Sequence, residues 1–378
     1  MRNTRNTLQQ LGVLTSLEAA RALLLDLSHP VAPLLQPIDK AQGCICAAPL
    51  IATLHPQQAF ALRDGWAMKA DETIGASSYA PVMPLTAPIA VETGDGLGPD
   101  RDCIVDQYGV DFSGPIIQVM AESAPGANVR RPGEDARAGQ VLLAQGHRLR
   151  ATDIACAAQL GLTHIAVRQP RVVIIDIPAR DGATTTLQFL LRSLTDAGAC
   201  VTSERAADRS AQAIAAALEA ASADLVLLLG GTGSGANDHA IQALRLCGEV
   251  HVHGIALEPG RTAAIATVAK TPVIALPALF EQAFGVWLGL VEPALDRLTL
   301  RHPREPHRRV LTQKISSRVG LAEVALLRRD NGAFTPVAVS ELPLQCLCAA
   351  THAMIIPASG EGHGAGEQIA AFALAGAE

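Results

Sequence analysis

Aromatic side chains are scarce in this 378-residue chain, where Phe, Trp and Tyr make up 3% of residues. Lys and Arg number 30 against 36 Asp and Glu, a net charge of −6. Without stacking rings or a basic excess, nucleic acid is not an expected partner. Long apolar runs are missing too. No uninterrupted stretch approaches the roughly 20 residues that cross a bilayer, and Gln and Glu interrupt the apolar residues of the opening "MRNTRNTLQQLGVLTSLEAARALLLDL". That segment therefore lacks a signal-peptide core, and we expect a soluble, cytoplasmic chain without membrane contact. The eight cysteines contain no C-x-x-C pair; their close pairs, Cys44 with Cys46 and Cys346 with Cys348, are C-x-C. Neither zinc nor disulfide staples are expected, and the thiols read as reduced and mostly buried. His251 and His253 in "EVHVHGIAL" share one face of a strand, and without a third ligand nearby a hydrogen-bonded face is the better reading than a metal site.

What is present is apolar sequence, 49% of the chain, in an amount and length that suit two or three domains. Residues 1–168 open with an amphipathic helix, "TSLEAARALLLDL", whose Thr15 and Glu18 match a capping box. Short apolar runs between Pro and Gly follow, the mark of a β-rich region, and 151–162 reads as a short helix ending at Gly161. From 169 to 300 the character changes. "RVVIID", "ACVTSE", "DLVLLLGG" and "TPVIALP" are strand-like, and helical spacing separates the first three, so we expect βαβ units and a mostly parallel sheet covered on both faces. Residues 305–378 return to short strands, with Asn331-Gly332 as a hairpin turn, and read as a small β-barrel or sandwich.

In a parallel sheet, ligands sit beyond the carboxyl ends of the strands. That rule selects Asp176, the Gly230–Gly235 turn with Asp238, and Pro277. The turn "GGTGSGAND" lacks both the G-x-G-x-x-G register and a P-loop lysine. Asn237 and Asp238 suit a helix start, where exposed amides favour an anion; a plain tight turn is the alternative on this stretch alone.

Taken in order, the motifs resemble the molybdopterin molybdenumtransferase family, MoeA and the E domain of gephyrin. "AFALRDGWAMKADE" is similar to its D-G-Y-A segment, with Asp64 and Gly65 kept and Trp66 for Tyr. "ETGDGLGPDRDCIV" keeps Thr93 and Gly94. "GANVRRPGEDARAGQVLLAQGHRL" has Asn128, Arg130, Gly133, Glu134, Asp135 and Gly139 where the pattern asks, and "GGTGSGANDHAI" has Gly230, Gly231, Gly235 and Asp238. The resemblance implies an elongated multidomain α/β plus β chain with a β-rich N-terminal region, a MogA-like three-layer α/β domain and a small C-terminal β-barrel. It implies molybdenum insertion into adenylylated molybdopterin with AMP release, with magnesium as cofactor and molybdate and molybdopterin as substrates. It also implies a homodimer, its active site between the α/β domain of one subunit and the N-terminal region of the other. Partners could include cofactor-maturation proteins or a client molybdoenzyme. Asp64, Asp135 and Asp238 are then the carboxylates to test, Asp238 as metal ligand. Thr93, Gly94, Arg131, Gly230, Gly231, Gly235 and Arg261 are the candidate ligand contacts.

Departures cluster in the α/β part. Where the family has S-T-G-D-E-L this chain reads "DIPARD", placing Pro178, Ala179 and Arg180 at the Gly, Asp and Glu positions. K-P-G-K-P becomes "EPGRT", with Glu258 reversing one charge and Arg261 keeping the other. Ala236 replaces an acidic residue, and only Pro277 survives of P-G-N-P. Charge reversal at a dry phosphate-facing position costs several kcal/mol, and loss of an acidic pair weakens metal-assisted hydrolysis. Two readings follow: a transferase in which Asp176 or Asp181 fills the missing roles, or a catalytically impaired paralogue that binds molybdopterin or the finished cofactor and delivers it.

Overall fold

The computed structural model describes residues 13–179 and 182–374; Arg180 and Asp181 lie outside the described residues. The chain forms two compact units. One comprises the chain up to Ala48, Gln145–Ala155 and everything from Thr163 onward; the other is Pro49–Ala144 with Cys156–Leu162. These units cut across the three parts drawn from sequence.

The first unit is built on a six-stranded sheet: β1 Arg171–Asp176, β2 Cys200–Arg205, β3 Leu225–Leu229, β4 Glu249–His253, β5 Ala264–Val268 and β6 Thr271–Leu276. Their order is β2-β1-β3-β6-β5-β4. The first four are parallel, whereas β5 runs antiparallel to both β6 and β4. The β5 edge had no clear sequence signal because "AAIATV" is alanine-rich and weak in β-propensity. Alternation along β1 and β3 explains why both faces are covered. Val172, Ile174, Leu225 and Leu227 join one core, while Val173, Ile175, Val226 and Leu228 join the other. Each fully buried side chain of this size contributes roughly 1.5–3 kcal/mol. Helices α1 Thr185–Asp196, α2 Ala211–Ala220 and α3 Ala240–Cys247 connect or flank the strands.

The opening helix spans Leu17–Leu27 and buries Leu17, Ala20 and Leu24. Its N-cap is Ser16, whose hydroxyl accepts from the Ala19 amide, not Thr15 as the capping-box reading implied. Thr15 and Ser16 instead pair in parallel with Ile255–Glu258. That same strand pairs with Ala322–Asp330 of the tail, a long-range register that local patterning does not announce. Within the tail, Ala322–Asp330 and Ala333–Val339 form the expected hairpin, with Asn331 and Gly332 both left-handed. Strands Ala322–Asp330, His352–Ile356, Gln368–Ala373 and His307–Val310 follow side by side. A bridge from Leu311 to Phe334 links the last of them back to the hairpin around Phe334, Ile356 and Leu327.

The second unit is made of short antiparallel pairings. Gly65–Met68 is central between Ile89–Val91 and Cys103–Val105, and small cores form around Met68, Cys103 and Val119 and around Ala61, Ile104 and Val129. Among the described residues no helix is long and apolar enough to cross a membrane. All eight cysteines are free, but only Cys44, Cys46 and Cys103 are buried; Cys156, Cys200 and Cys348 are exposed. The expectation of mostly buried thiols is corrected here, since exposed helix and strand positions tolerate a residue as small as Cys.

Candidate functional site

The site residues named from sequence divide between the two units. In the second, Asp64 and Thr93 come together: the Thr93 amide and hydroxyl both donate to Asp64 Oδ1, at 2.7 and 2.9 Å. These bonds hold the Asp64 carboxyl below its ordinary range, so it is ionised at neutral pH. Gly65 follows because no larger residue fits. A Cβ there would lie 2.3 Å from the Val105 carbonyl oxygen. Gly94 turns the chain in a left-handed conformation, φ 98°. The "NVRRPGED" stretch also accounts for its residue types. Asn128 is left-handed and donates to the Ile104 carbonyl, and Arg130 pairs with Asp135 at 3.2 Å. The Glu134 carboxylate accepts from the Arg131 amide. Arg131, expected to meet an anion, donates its Nη2 to the Pro125 carbonyl at 2.6 Å.

In the first unit, the strand-end rule is geometrically satisfied. Asp176 is the last residue of β1, the glycine turn follows β3, and Pro277 follows β6. Gly230 and Gly231 are left-handed, φ 98° and 63°; Gly230 donates to Leu276 of the neighbouring strand. Thr232 is buried and shares a 2.9 Å hydroxyl contact with Thr262, which ties the glycine turn to the "EPGRT" loop. His253 donates its Nε2 proton to the Thr232 carbonyl at 3.2 Å, and burial lowers its pKa. His251 contacts Thr267 at 3.0 Å. Each histidine thus has its own hydrogen bond.

Helix α3 starts later than Asn237 and Asp238 suggested. His239 is its N-cap and makes no side-chain cap bond. Asp238 closes the turn instead, with Oδ2 accepting from the Gly235 amide at 3.1 Å.

Asp176, Asp238 and Glu258 each have an arginine beside them. Asp176 lies 3.8 Å from Arg205, Asp238 lies 3.5 Å from Arg209, and Glu258 accepts from Arg261 at 2.8 Å. Burial raises the Asp176 pKa, partly offset by Arg205. Arg205 and Arg209 were missed in the sequence. The available signal was the end of β2, to which the strand-end rule applies as it does to β1 and β3. Arg209 also donates to the carbonyls of Pro178 and Asn237, at 2.6 and 3.2 Å. The Nε–H groups of Arg209 and Arg261 are buried without an acceptor among the described residues.

A magnesium ion takes oxygen ligands in near-octahedral geometry, usually including one or two carboxylates. Asp238 offers none freely, because one oxygen serves Gly235 and the other faces Arg209. Among the described residues, no group of three or more His, Cys, Asp or Glu is gathered as a metal would need. The described residues therefore do not gather a ligand set that fits the expected ion in this unit. A cavity of about 560 Å³ lined by Phe189, Trp287, Glu292, Arg304 and Phe372 lies elsewhere in the unit. No residue of the strand-end turns lines it.

These features define a two-unit chain with a largely parallel α/β sheet, whose strand-end turns are the candidate ligand position. Residues 15–161 match the family profile described as "MoeA N-terminal region (domain I and II)", and residues 176–297 match "Probable molybdopterin binding domain". The chain belongs to the MoeA family. It is 25% identical over 372 residues to "Molybdopterin molybdenumtransferase 2" of Mycobacterium tuberculosis, covering 85% of this chain and 89% of that one. The molybdopterin molybdenumtransferase of Haemophilus influenzae is 24% identical over 312 residues, 75% of this chain and 77% of the relative. Among solved structures, the molybdopterin biosynthesis moeA protein of Pyrococcus horikoshii OT3 superposes with a TM-score of 0.68 at 22% identity, over 96% of this chain and 100% of that one. At that identity the likeness is one of fold.

Proposed function

We propose that this chain serves molybdenum cofactor biosynthesis by binding molybdopterin, or the cofactor made from it, at the strand ends of the α/β layer and passing it on without hydrolysing an adenylate. The family supports the pathway and the pterin ligand. The observation that carries the non-hydrolytic reading is the pairing of Asp176, Asp238 and Glu258 with Arg205, Arg209 and Arg261. Each of these carboxylates faces a cation supplied by its own chain and not a second acidic ligand, and the arginines suit a phosphate.

Magnitudes favour the ligand over the internal pairs. A solvent-facing ion pair is worth about 0–1 kcal/mol, and Arg205 and Arg261 keep 57% and 42% of their side-chain surface exposed. A charge-assisted hydrogen bond to phosphate is worth about 1.5–3 kcal/mol. A phosphate can therefore recruit these guanidinium groups from their carboxylates at small cost. Gly230, Gly231 and Gly235 shape the turn that the ligand approaches, and Arg261 makes the anion contact that the family's lysine position implies. Handover to a maturation protein or a client molybdoenzyme completes the role. A homodimer is part of the proposal, checked by sedimentation.

A second reading, molybdenum insertion with AMP release, is favoured by one observation. Asp64 is kept, ionised and oriented by two bonds from Thr93.

Adenylylated molybdopterin, incubated with the purified protein, magnesium and molybdate, separates the readings. Saturable binding without AMP release is the expected outcome. Molybdate-dependent release that falls at least tenfold in Asp64→Ala would establish the transferase instead. Absence of binding to either adenylylated or free molybdopterin would end both readings.

A further inference from the structure

The Arg209 guanidinium is held by three oxygens from two separate loops. Nη1 donates to the Pro178 carbonyl at 2.6 Å and Nη2 to the Asn237 carbonyl at 3.2 Å, and the Asp238 Oδ1 lies 3.5 Å from Nη2. Two backbone carbonyls and a carboxylate are the donor types that bind a hard divalent cation. The other two pairs at the strand ends differ: Arg205 faces the Asp176 carboxylate and Arg261 the Glu258 carboxylate.

We infer that the Arg209 guanidinium is a built-in substitute for a divalent metal ion, occupying an oxygen-lined cation position and making anion binding at the strand ends independent of magnesium. The inference deepens the proposed function and rests on it for the identity of the anion, a phosphate monoester or diphosphate. The cation position itself stands on the geometry alone.

The physical argument has three parts. A guanidinium is permanently charged and presents five N–H donors in a fixed fork. Three oxygens take up Nη1 and Nη2, while Nε–H is buried without an acceptor among the described residues. Arg209 is also held in register by its own chain. It directly precedes Ser210, the N-cap of α2, whose hydroxyl accepts from the Ala213 amide. The Asp208 carboxylate accepts from the Ser210 amide at 2.7 Å. A tethered cation cannot be removed by chelation or exchanged, so the Pro178 and Asn237 loops stay bridged whether or not ligand is bound. The same bridge explains how a chain with Pro178 and Ala179 at the family's Gly and Asp positions keeps its strand-end loops together.

Manganese binding followed by electron paramagnetic resonance tests the cation position without any pterin. Wild-type protein is expected to show no saturable Mn²⁺ site. Arg209→Ala should gain one, with a dissociation constant on the order of 1 mM, and Asp238→Asn in the same background should abolish it. A saturable site in wild type that is lost in Asp238→Asn would overturn the inference, as would no gain of a site in folded Arg209→Ala. Folding is checked by circular dichroism, and Arg209→Asp supplies a second variant that adds a carboxylate to the position. In parallel, molybdopterin binding by wild type should be unchanged by EDTA. A loss of binding of more than tenfold with EDTA would count against Arg209 as the resident cation. Failure of molybdopterin to bind under every condition would instead remove the proposed function and leave the manganese result to decide the cation position by itself.

Discussion

Glu323 carries a charge in a buried place, and its surroundings explain how. Burial by itself would raise its carboxyl, but the Ser340 hydroxyl, the Arg318 amide and the Arg318 guanidinium donate to it and bring it down to about 2. A carboxyl whose folded pKa lies below its unfolded value near 4.5 stabilises the fold above pH 4.5. That contribution is lost as pH falls toward 2. Arg318 is 61% exposed, so solvent screens its share, and the total is roughly 2–3 kcal/mol. Thermal unfolding followed from pH 6 to 3 should show a decline that flattens in Glu323→Gln, which starts from a lower midpoint. At the same scale, the residue types of the candidate site were legible from sequence, and Asp64, Thr93 and Asp238 all have polar roles. What was not legible was what they touch. That Asp238 closes a turn and faces Arg209 depends on a residue 29 positions away, and no local pattern encodes that meeting.

Helix α1 shows how an element's end is set by its neighbours. The helix stops at Asp196, and Gly198 is left-handed with φ 79°, a glycine preference readable from "DAGAC". The structure adds a second reason for glycine. A Cβ on Gly198 would lie 2.4 Å from the Gly43 carbonyl and 2.6 Å from the Cys44 backbone. Gly198→Ala is therefore expected to cost more than the roughly 1 kcal/mol of a left-handed alanine, at least about 2 kcal/mol in total, as read by chemical denaturation. A cost under about 1 kcal/mol would mean that the 43–44 segment can move aside. Elements with strong periodicity, β1, β3, β6 and helices α1 and α2, are where sequence reading and structure agree. The capping of the first helix is where they part, because Thr15 is drawn into a strand pair with Ile255. Ser16, which pairs in the same strand, stands next to the helix and supplies the cap, so strand pairing and capping coexist there.

Two compact units, each with its own cores, predict unfolding of the intact chain in two steps. Scanning calorimetry should resolve two transitions, the first from the unit around Met68, Cys103 and Ile104, whose cores are the smaller. A single transition with equal calorimetric and van't Hoff enthalpies would show that the units unfold as one. At this scale the sequence by itself determined the alternation of strand and helix from 171 to 276, the β-rich character on either side, and the family, because periodicity and ordered motifs are local or collinear properties. Tertiary structure alone decided that Ile255–Glu258 leaves the α/β segment to join the tail's sheet, that the strand order places β5 and β4 antiparallel at one edge, and that Asp176 and Asp238 meet Arg205 and Arg209. Those outcomes depend on pairings between residues far apart in the chain, which are selected by burial and charge compensation over the whole unit and leave no trace in any short stretch of sequence.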